Sequence, residues 1–327
     1  ALVVISLFSK LVATDGDTHP GPGRAAGLPD RQRIISAGQL AGLAIIVSLV
    51  VGSTLYMTMT QLSAEENASV IAHRGASAQA PENTLAALEL AIEEGADWVE
   101  IDVQETRDGE VVVIHDRDLK KIGRSALRVF DAPLSELQYV DIGSWMDPSF
   151  SDQRVPTLQQ VLELCKDRVG IFIELKYYGQ ETRLEERVVD LVEAASMQEQ
   201  VTVMSLSYPG IQKIRSLRPG WKAGLLSSVA MGDITRLDVD FFAVNAKFAS
   251  RSFIKRAHRQ NRQVMAWTVN DPVSMSAVMS KGVDGIITDY PGLAVKVREE
   301  RAELEVHERL MIQLASYFGR PPPRPEQ

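Results

Sequence analysis

Three short segments of this 327-residue chain place acids, histidines and cations where apolar runs end. "VIAHRG" closes on His73, Arg74 and Gly75, "WVEIDVQ" carries Glu100 and Asp102, and "IFIELK" carries Glu174 and Lys176. Successive side chains of a strand point to opposite faces, so residues two positions apart share a face. Glu100 and Asp102 therefore point the same way, and so do Glu174 and Lys176. Two acids in an apolar strand are costly to bury, and a third from a neighbouring strand adds repulsion, unless a cation gathers them. A divalent ion resolves this. All-oxygen ligation without cysteine favours Ca²⁺ or Mg²⁺ over zinc. Either pair alone is better explained by exposure at a strand end or by pairing with Arg74 and Lys176. Three acids and two cations converging favour the metal.

Two histidines join this set. His73 ends one apolar run, and "QETRDGEVVVIHD" reads as a hairpin turning at Asp108-Gly109, whose return strand delivers His115-Asp116. An imidazole with its ordinary pKa near ~6.5 suits proton transfer around neutral pH. Beside a metal and cations, such a pair fits phosphoryl chemistry: one takes a proton from the nucleophile and the other protonates the leaving oxygen. Arg74 and Lys176 would offset charge growing on the phosphate oxygens. His19, His258 and His307 have no such surroundings and read as structural.

These residues need a scaffold that gathers strand ends. Strand-like runs at "SVIAHRG", "WVEIDVQ", "IFIELK", "VTVMSLS", "AGLLS", "FFAVNAK", "QVMAWTV" and "GIITD" alternate with helix-length segments. Runs buried on both faces and joined by helical crossovers predict a parallel sheet. Eight of them over roughly 230 residues predict an α/β fold of the (β/α)₈ TIM-barrel class, with an open doubly wound sheet as the alternative. The hairpin's return strand is additional to the eight. In such a barrel, active sites lie at the C-terminal strand ends. The first crossover helix has Asn83 or Thr84 as its cap, Leu85, Leu88 and Ile92 on one face, and Gly95 at its end.

Composition bounds the partners. The net charge of -8 gives no basic field for nucleic acid, so a phosphate ligand must be attracted locally. The single cysteine, Cys165, excludes an internal disulfide and reads as helix packing. No residue from Ile34 to Ala64 is charged, long enough for the ~20 residues that cross ~30 Å of hydrocarbon. Residues 34–62 are therefore expected to form a transmembrane helix. Arg24, Arg31 and Arg33 precede it, which orients residues 65 onward to the extracytoplasmic side of the cell membrane. Residues 1–33 read as the end of a preceding membrane segment and a cytoplasmic loop, 65–297 as the barrel domain, and 298–327 as a charged helix and Pro-rich tail.

Taken together and in order, "HRGASAQAPENT", "EIDVQETRDGEVVVIHD", "IELK" and "AWTVN" resemble the glycerophosphodiester phosphodiesterase family, over about Val70 to Leu293. The resemblance implies a TIM barrel that hydrolyses glycerophosphodiesters to glycerol 3-phosphate and an alcohol. It implies a divalent metal at Glu100, Asp102 and Glu174, His73 as base and His115 as acid. It also allows the substrate's neighbouring hydroxyl to attack phosphorus, giving a cyclic phosphate that water later opens. Arg74 and Lys176 match phosphate-contacting positions, Trp267 a substrate-facing aromatic, and Asn83 and Asn270 further substrate positions. The plainer readings are core packing for Trp267, a helix cap for Asn83 and a loop role for Asn270. Residues 119 to 157 keep "GSW" and "VPTLQQVL" but lack the usual Thr/Asn/Gly-rich segment, which bears on substrate choice. Two other readings compete: a phospholipase D-type hydrolase of lysolipids or sphingolipids on the same barrel, and a catalytically inactive binding domain.

Overall fold

Val, Ile, Ala and Leu alternate along each strand with the residues that fill or line a barrel, and that alternation organises the fold. The computed structural model describes residues 42–53, 68–179, 181–228, 233–304 and 308. The chain divides into two compact units, residues 1–55 and 56–327. In the second unit nine strands are described: β1 Ser69–His73, β2 Trp98–Glu105, β3 Val111–Val113, β4 Gly170–Leu175, β5 Val201–Ser205, β6 Ala223–Ser227, β7 Phe241–Asn245, β8 Gln263–Trp267 and β9 Gly285–Thr288. Eight run parallel in the order β1-β9-β8-β7-β6-β5-β4-β2, and β1 pairs with β2 to close the ring. β3 is the expected extra strand, antiparallel to β2 with Val103 opposite Val113.

The outward residues of the strands form the larger core. Val70, Ala72, Val99, Ile101, Ile171 and Ile173 pack beneath helices that include Leu88, Leu158, Leu162 and Val188. Inward residues form a second cluster: Ile71, Phe172, Met204, Leu226, Phe241, Ala243, Met265 and Ile287, with Trp98 and Trp267 against it. Trp98, Phe172 and Phe241 meet edge to face, with centroids 5.1 and 5.5 Å apart. This plug fills the barrel. A third, smaller core holds Val112, Ile114, Leu119, Ile122, Leu137 and Val155, so the divergent segment after β3 has packing of its own. Cys165 is buried at the end of helix Leu158–Cys165, and burial pushes its thiol up to about 12, which leaves a packing role.

The first crossover sharpens two expectations. Thr84 is the helix cap, its hydroxyl accepting from the Ala87 N–H, and helix Leu85–Glu93 follows. The first strand ends at His73 rather than at Gly75, because Arg74 (φ 56) and Gly75 (φ 82) are both left-handed. Helix Pro291–Glu303 ends the described barrel residues apart from residues 304 and 308, so most of the expected charged helix and the Pro-rich tail lie outside the description.

In the first unit residues 42–53 are helical, and every residue from Leu43 to Ser53 is exposed, Ile45, Ile46 and Val47 among them. No helix among the described residues is long and apolar enough to cross a membrane. Residues 1–33, 34–41 and 54–62 of the expected membrane region lie outside the described residues.

Gly75 is required twice over, by its φ and by a close approach. A Cβ there would lie 2.6 Å from the backbone carbonyl of Ala87. Gly75→Ala is therefore expected to cost about 2 kcal/mol or more of folding stability, read from urea unfolding. An unchanged midpoint would show that the turn relaxes freely.

Candidate active site

Moving two residues along each strand from the barrel plug reaches its C-terminal mouth. Ile71 leads to His73, Trp98 to Glu100 and then Asp102, Phe172 to Glu174 and then Lys176, Met265 to Trp267, and Ile287 to Asp289. A cavity of about 120 Å³ lies there, lined by His73, Arg74, Glu100, His115, Glu174 and Lys176 together with Met204, Leu206, Leu226, Trp267 and Ile287. The register brings the charged residues together: His73 lies opposite Glu100, and Asp102 opposite Glu174.

Glu100, Asp102 and Glu174 are buried, and each offers an oxygen within 4.8 Å of the others. Burial, then the charges of Asp102 and Glu174, push Glu100 well above its usual range, with Arg74 opposing. Burial and the Asp102 charge likewise raise Glu174 to about 7, against Lys176. For Asp102 burial also acts upward, but Arg74, Lys176, His115 and the Asn83 amide outweigh it and hold the group at about 2. The trio therefore does not ionise fully on its own; it needs further positive charge or a proton. Asp102 Oδ1 is buried and accepts no hydrogen bond, although Lys176 Nζ lies 3.5 Å away. Three converging oxygens, one without a hydrogen-bond partner, fit a hard divalent cation.

Arg74 and Lys176 flank the acids. The left-handed Arg74 backbone donates its N–H to Glu100 Oε2 (3.0 Å), while its guanidinium meets Asp102 (3.2 Å) and Glu82 (3.0 Å). Lys176 Nζ donates to Glu174 (3.0 Å). Burial works against both charges, yet the surrounding carboxylates raise both pKa values, so both remain cations facing the cavity.

Each histidine carries a carboxylate at Nδ1: Asp289 at 2.6 Å from His73, and Asp116 at 2.8 Å from His115. The Asp289 carboxyl is itself held. It accepts from Asn270 Nδ2 (2.6 Å) and Ser77 Oγ (3.1 Å), and although burial acts upward, its hydrogen bonds to His73, Asn270 and Ser77 keep it below its usual range. An ionised carboxylate only accepts, so His73 donates from Nδ1 and its Nε2 lone pair is left free. The His115 backbone carbonyl accepts from buried Gln104 Nε2 (3.1 Å) and from the Tyr178 hydroxyl (2.6 Å). Burial, with Arg74 and Lys176 nearby, lowers the His115 pKa despite Asp102 and Asp116.

The softer candidates divide. Trp267 lines the cavity and donates its indole N–H to Ala243 O. Asn83 and Asn270 are not among the cavity's lining residues, and their amides are engaged by two carboxylates of the site. Asn83 is buried and spends its amide on Asp102, donating to Oδ2 (2.9 Å) and accepting from the backbone N–H (3.2 Å). Asn270 accepts from the backbone N–H of Asp289 (3.0 Å) and donates to its side chain. Both are positioning residues. The sequence places Asp289 at the end of the strand-like run "GIITD" without giving it a role, and Glu82 and Gln104 were missed. The visible signal was a buried-type position two residues beyond an apolar lumen residue for Asp289 and one such step beyond Asp102 for Gln104. His258 pairs with Asp284, away from the cavity, as a structural histidine; His19 and His307 lie outside the described residues.

The chain can now be set beside known proteins. The pattern of the glycerophosphoryl diester phosphodiesterase family matches residues 73–293. YhdW of Bacillus subtilis is 36% identical over 234 residues, which cover 69% of this chain and 96% of that protein. A glycerophosphodiester phosphodiesterase of Caldanaerobacter subterraneus is 32% identical over 232 residues, 68% of this chain and 94% of its own. The solved structure of an Oleispira antarctica phosphodiesterase in complex with the product sn-glycerol-3-phosphate aligns with a TM-score of 0.68 at 29% identity, covering 71% of this chain and 96% of that one.

The raised acids make a pH prediction. Glu174, at about 7, and Glu100, also raised, keep protons that a metal must displace, so affinity rises with pH through this range. The rise in melting temperature on adding Ca²⁺ or Mg²⁺ should be larger at about pH 8 than at about pH 5.5. A metal shift independent of pH would refute proton displacement from these acids.

Proposed function

The chain belongs to the glycerophosphoryl diester phosphodiesterase family and is a glycerophosphodiester phosphodiesterase, and from that premise we propose a metal-dependent hydrolysis run by His73 and His115. The substrate is a glycerophosphodiester, and the products are glycerol 3-phosphate and an alcohol. The observation that carries this reading is the buried trio Glu100, Asp102 and Glu174, set in one cavity with two carboxylate-paired histidines and two cations.

Arg74 and Lys176 hold the phosphate through its oxygens and orient the scissile bond. A divalent ion held by Glu100, Asp102 and Glu174 would supply positive charge against the charge developing on those oxygens. His73, its Nδ1 hydrogen committed to Asp289, takes the proton of the attacking hydroxyl at Nε2. That hydroxyl belongs to water or to the substrate's own neighbouring carbon, in which case a cyclic phosphate forms and water opens it. His115 gives its proton to the departing alcohol oxygen. The lowered pKa makes protonated His115 a stronger donor and reduces the share of the enzyme that carries that proton at neutral pH.

We also read the domain as tethered to a cell membrane and facing outward. The support is the uncharged stretch from Ile34 to Ala64, the preceding Arg24, Arg31 and Arg33, and the exposed apolar helix over residues 42–53. The catalytic domain is then residues 65–297, with 298–327 as an appended tail.

The purified full chain with Ca²⁺ or Mg²⁺ should release glycerol 3-phosphate from glycerophosphocholine, and chelation should abolish this. His73→Ala and His115→Ala should each lower kcat by about 10²–10⁴-fold without changing the melting temperature. Wild-type turnover in a histidine variant would remove that residue from the mechanism. For topology, protease added to intact cells expressing the chain should cut the barrel domain; complete protection would reverse the orientation.

A further inference from the structure

His115 reaches the cavity from a strand that is not part of the ring. β3 has three residues, pairs antiparallel with β2 at the end of the sheet order, and stops at Val113. The last backbone tie to β2 is the Ile114 N–H, which donates to Asp102 O (2.8 Å). A hydrogen-bonded antiparallel pair exchanges two such bonds, but the Asp102 N–H donates to Asn83 Oδ1 instead. The Ile114 carbonyl is therefore left without its sheet partner. Among the described residues, no backbone N–H donates to the carbonyls of Ile114, His115 or Asp116.

One side chain serves all three. Gln104 lies one strand step beyond Asp102 on the same inward face and is 3% exposed. Its Nε2 donates to Ile114 O (2.9 Å), His115 O (3.1 Å) and Asp116 O (2.8 Å). An amide nitrogen carries two hydrogens, so at least one is shared between two carbonyls. Set against three successive carbonyls, this buried group fixes the course of the chain over 114–116. Tyr178 adds a second hold from the segment after β4: its hydroxyl donates to His115 O (2.6 Å). The Tyr178 and Gly179 N–H groups in turn donate to the Glu181 carboxylate (2.5 and 2.9 Å), which closes the turn that carries the ring. Neither Gln104 nor Tyr178 lines the cavity, so both reach the reaction through His115.

We propose that Gln104 is a positioning residue of this enzyme, which together with Tyr178 holds segment 114–116 where the His115 ring meets the departing alcohol oxygen. This inference rests on the phosphodiesterase reading with His115 as acid. A proton donor acts only within hydrogen-bond reach of the oxygen it protonates, and a displacement of about 1 Å can cost on the order of 10²-fold in rate. The ring's own partner, Asp116 at Nδ1, belongs to the same segment and moves with it. That contact orients the imidazole within the segment but cannot locate the segment against the phosphate. Gln104, rooted in the strand that carries Glu100 and Asp102, and Tyr178, two residues beyond Lys176, do locate it.

The test varies the demand for that proton, on the full chain with Ca²⁺ or Mg²⁺. Choline departs from glycerophosphocholine as an alkoxide that needs a proton, whereas para-nitrophenolate departs from the matching glycerol para-nitrophenyl phosphodiester without one. Gln104→Met keeps the length of the side chain and removes its N–H donors; Tyr178→Phe removes one hydroxyl at a residue that is 37% exposed. We expect Gln104→Met to lower kcat/KM for glycerophosphocholine by at least about tenfold and Tyr178→Phe by at least about threefold, with the aryl diester losing less in each case. The ratio of aryl to alkyl kcat/KM should therefore rise in both, as it should in His115→Ala. A merely structural loss lowers both substrates together and leaves the ratio where it was. That result in folded Gln104→Met, or in Tyr178→Phe where Gln104→Met does not fold, overturns the positioning role while the phosphodiesterase reading stands. An unchanged ratio in His115→Ala overturns the acid assignment beneath it, and a metal-loaded wild type inert on both diesters overturns the whole reading.

Discussion

Three carboxylates share a buried site at adjacent strand ends, and the surrounding structure is arranged to make that tolerable. Burying one unpaired charge costs several kcal/mol, and like charges beside it add to the cost. Asp102 sits at the centre, opposite Glu174 in the register of β2 with β4, while Glu100 stands opposite His73 across β1. Arg74, Lys176 and Asn83 all turn toward Asp102, which is why it is the acid that stays ionised. Glu100 and Glu174 have weaker compensation and hold protons more tightly. A site that is one positive charge short in this way is primed for a cation.

The same constraint explains local backbone features that look unrelated to charge. Arg74 leaves the strand in a left-handed conformation, which is costly for a residue with a side chain. In return its N–H reaches Glu100 while its guanidinium reaches Asp102 and Glu82. Gly75 continues the turn into contact with helix Leu85–Glu93, and Asn83 (φ 59) braces Asp102 from the residue before the Thr84 cap. Glu82 then links Arg74 to Lys121, tying the divergent segment after β3 to the site. One electrostatic cluster thus ties the first crossover to the segment after β3.

Much of this was legible in the sequence because strand alternation is a local rule. Glu100 with Asp102, and Glu174 with Lys176, share faces by their spacing alone, and eight apolar runs with helical spacers predict the barrel. What was not legible depends on closure. His73 and Asp289 are 216 residues apart and meet because β1 pairs with β9 at the seam of the ring. Asn83 and Asn270 show a second limit: an asparagine beside a cavity can bind ligand, cap a helix or brace a carboxylate. Only the positions of its amide atoms decide, and here both brace. For residues 34–62 the expected span rests on hydropathy alone, since no helix among the described residues is long and apolar enough to cross a membrane.

The two histidines look interchangeable on paper, since each has a carboxylate at Nδ1, but their supports differ. Asp289 is fixed by Asn270 through both side chain and backbone and by Ser77, so its carboxylate has one orientation and one charge state to offer His73. That favours the tautomer with a free Nε2 lone pair. His115 is held instead through its backbone, by Gln104 and Tyr178, and burial first, then the charges of Arg74 and Lys176, act against its protonated form, with Asp102 and Asp116 opposing. A group whose cationic form is destabilised gives up its proton readily. The anchored Asp289 carboxylate, which fixes the His73 tautomer, is therefore what assigns, in the proposed mechanism, the base to His73 and leaves the acid to His115.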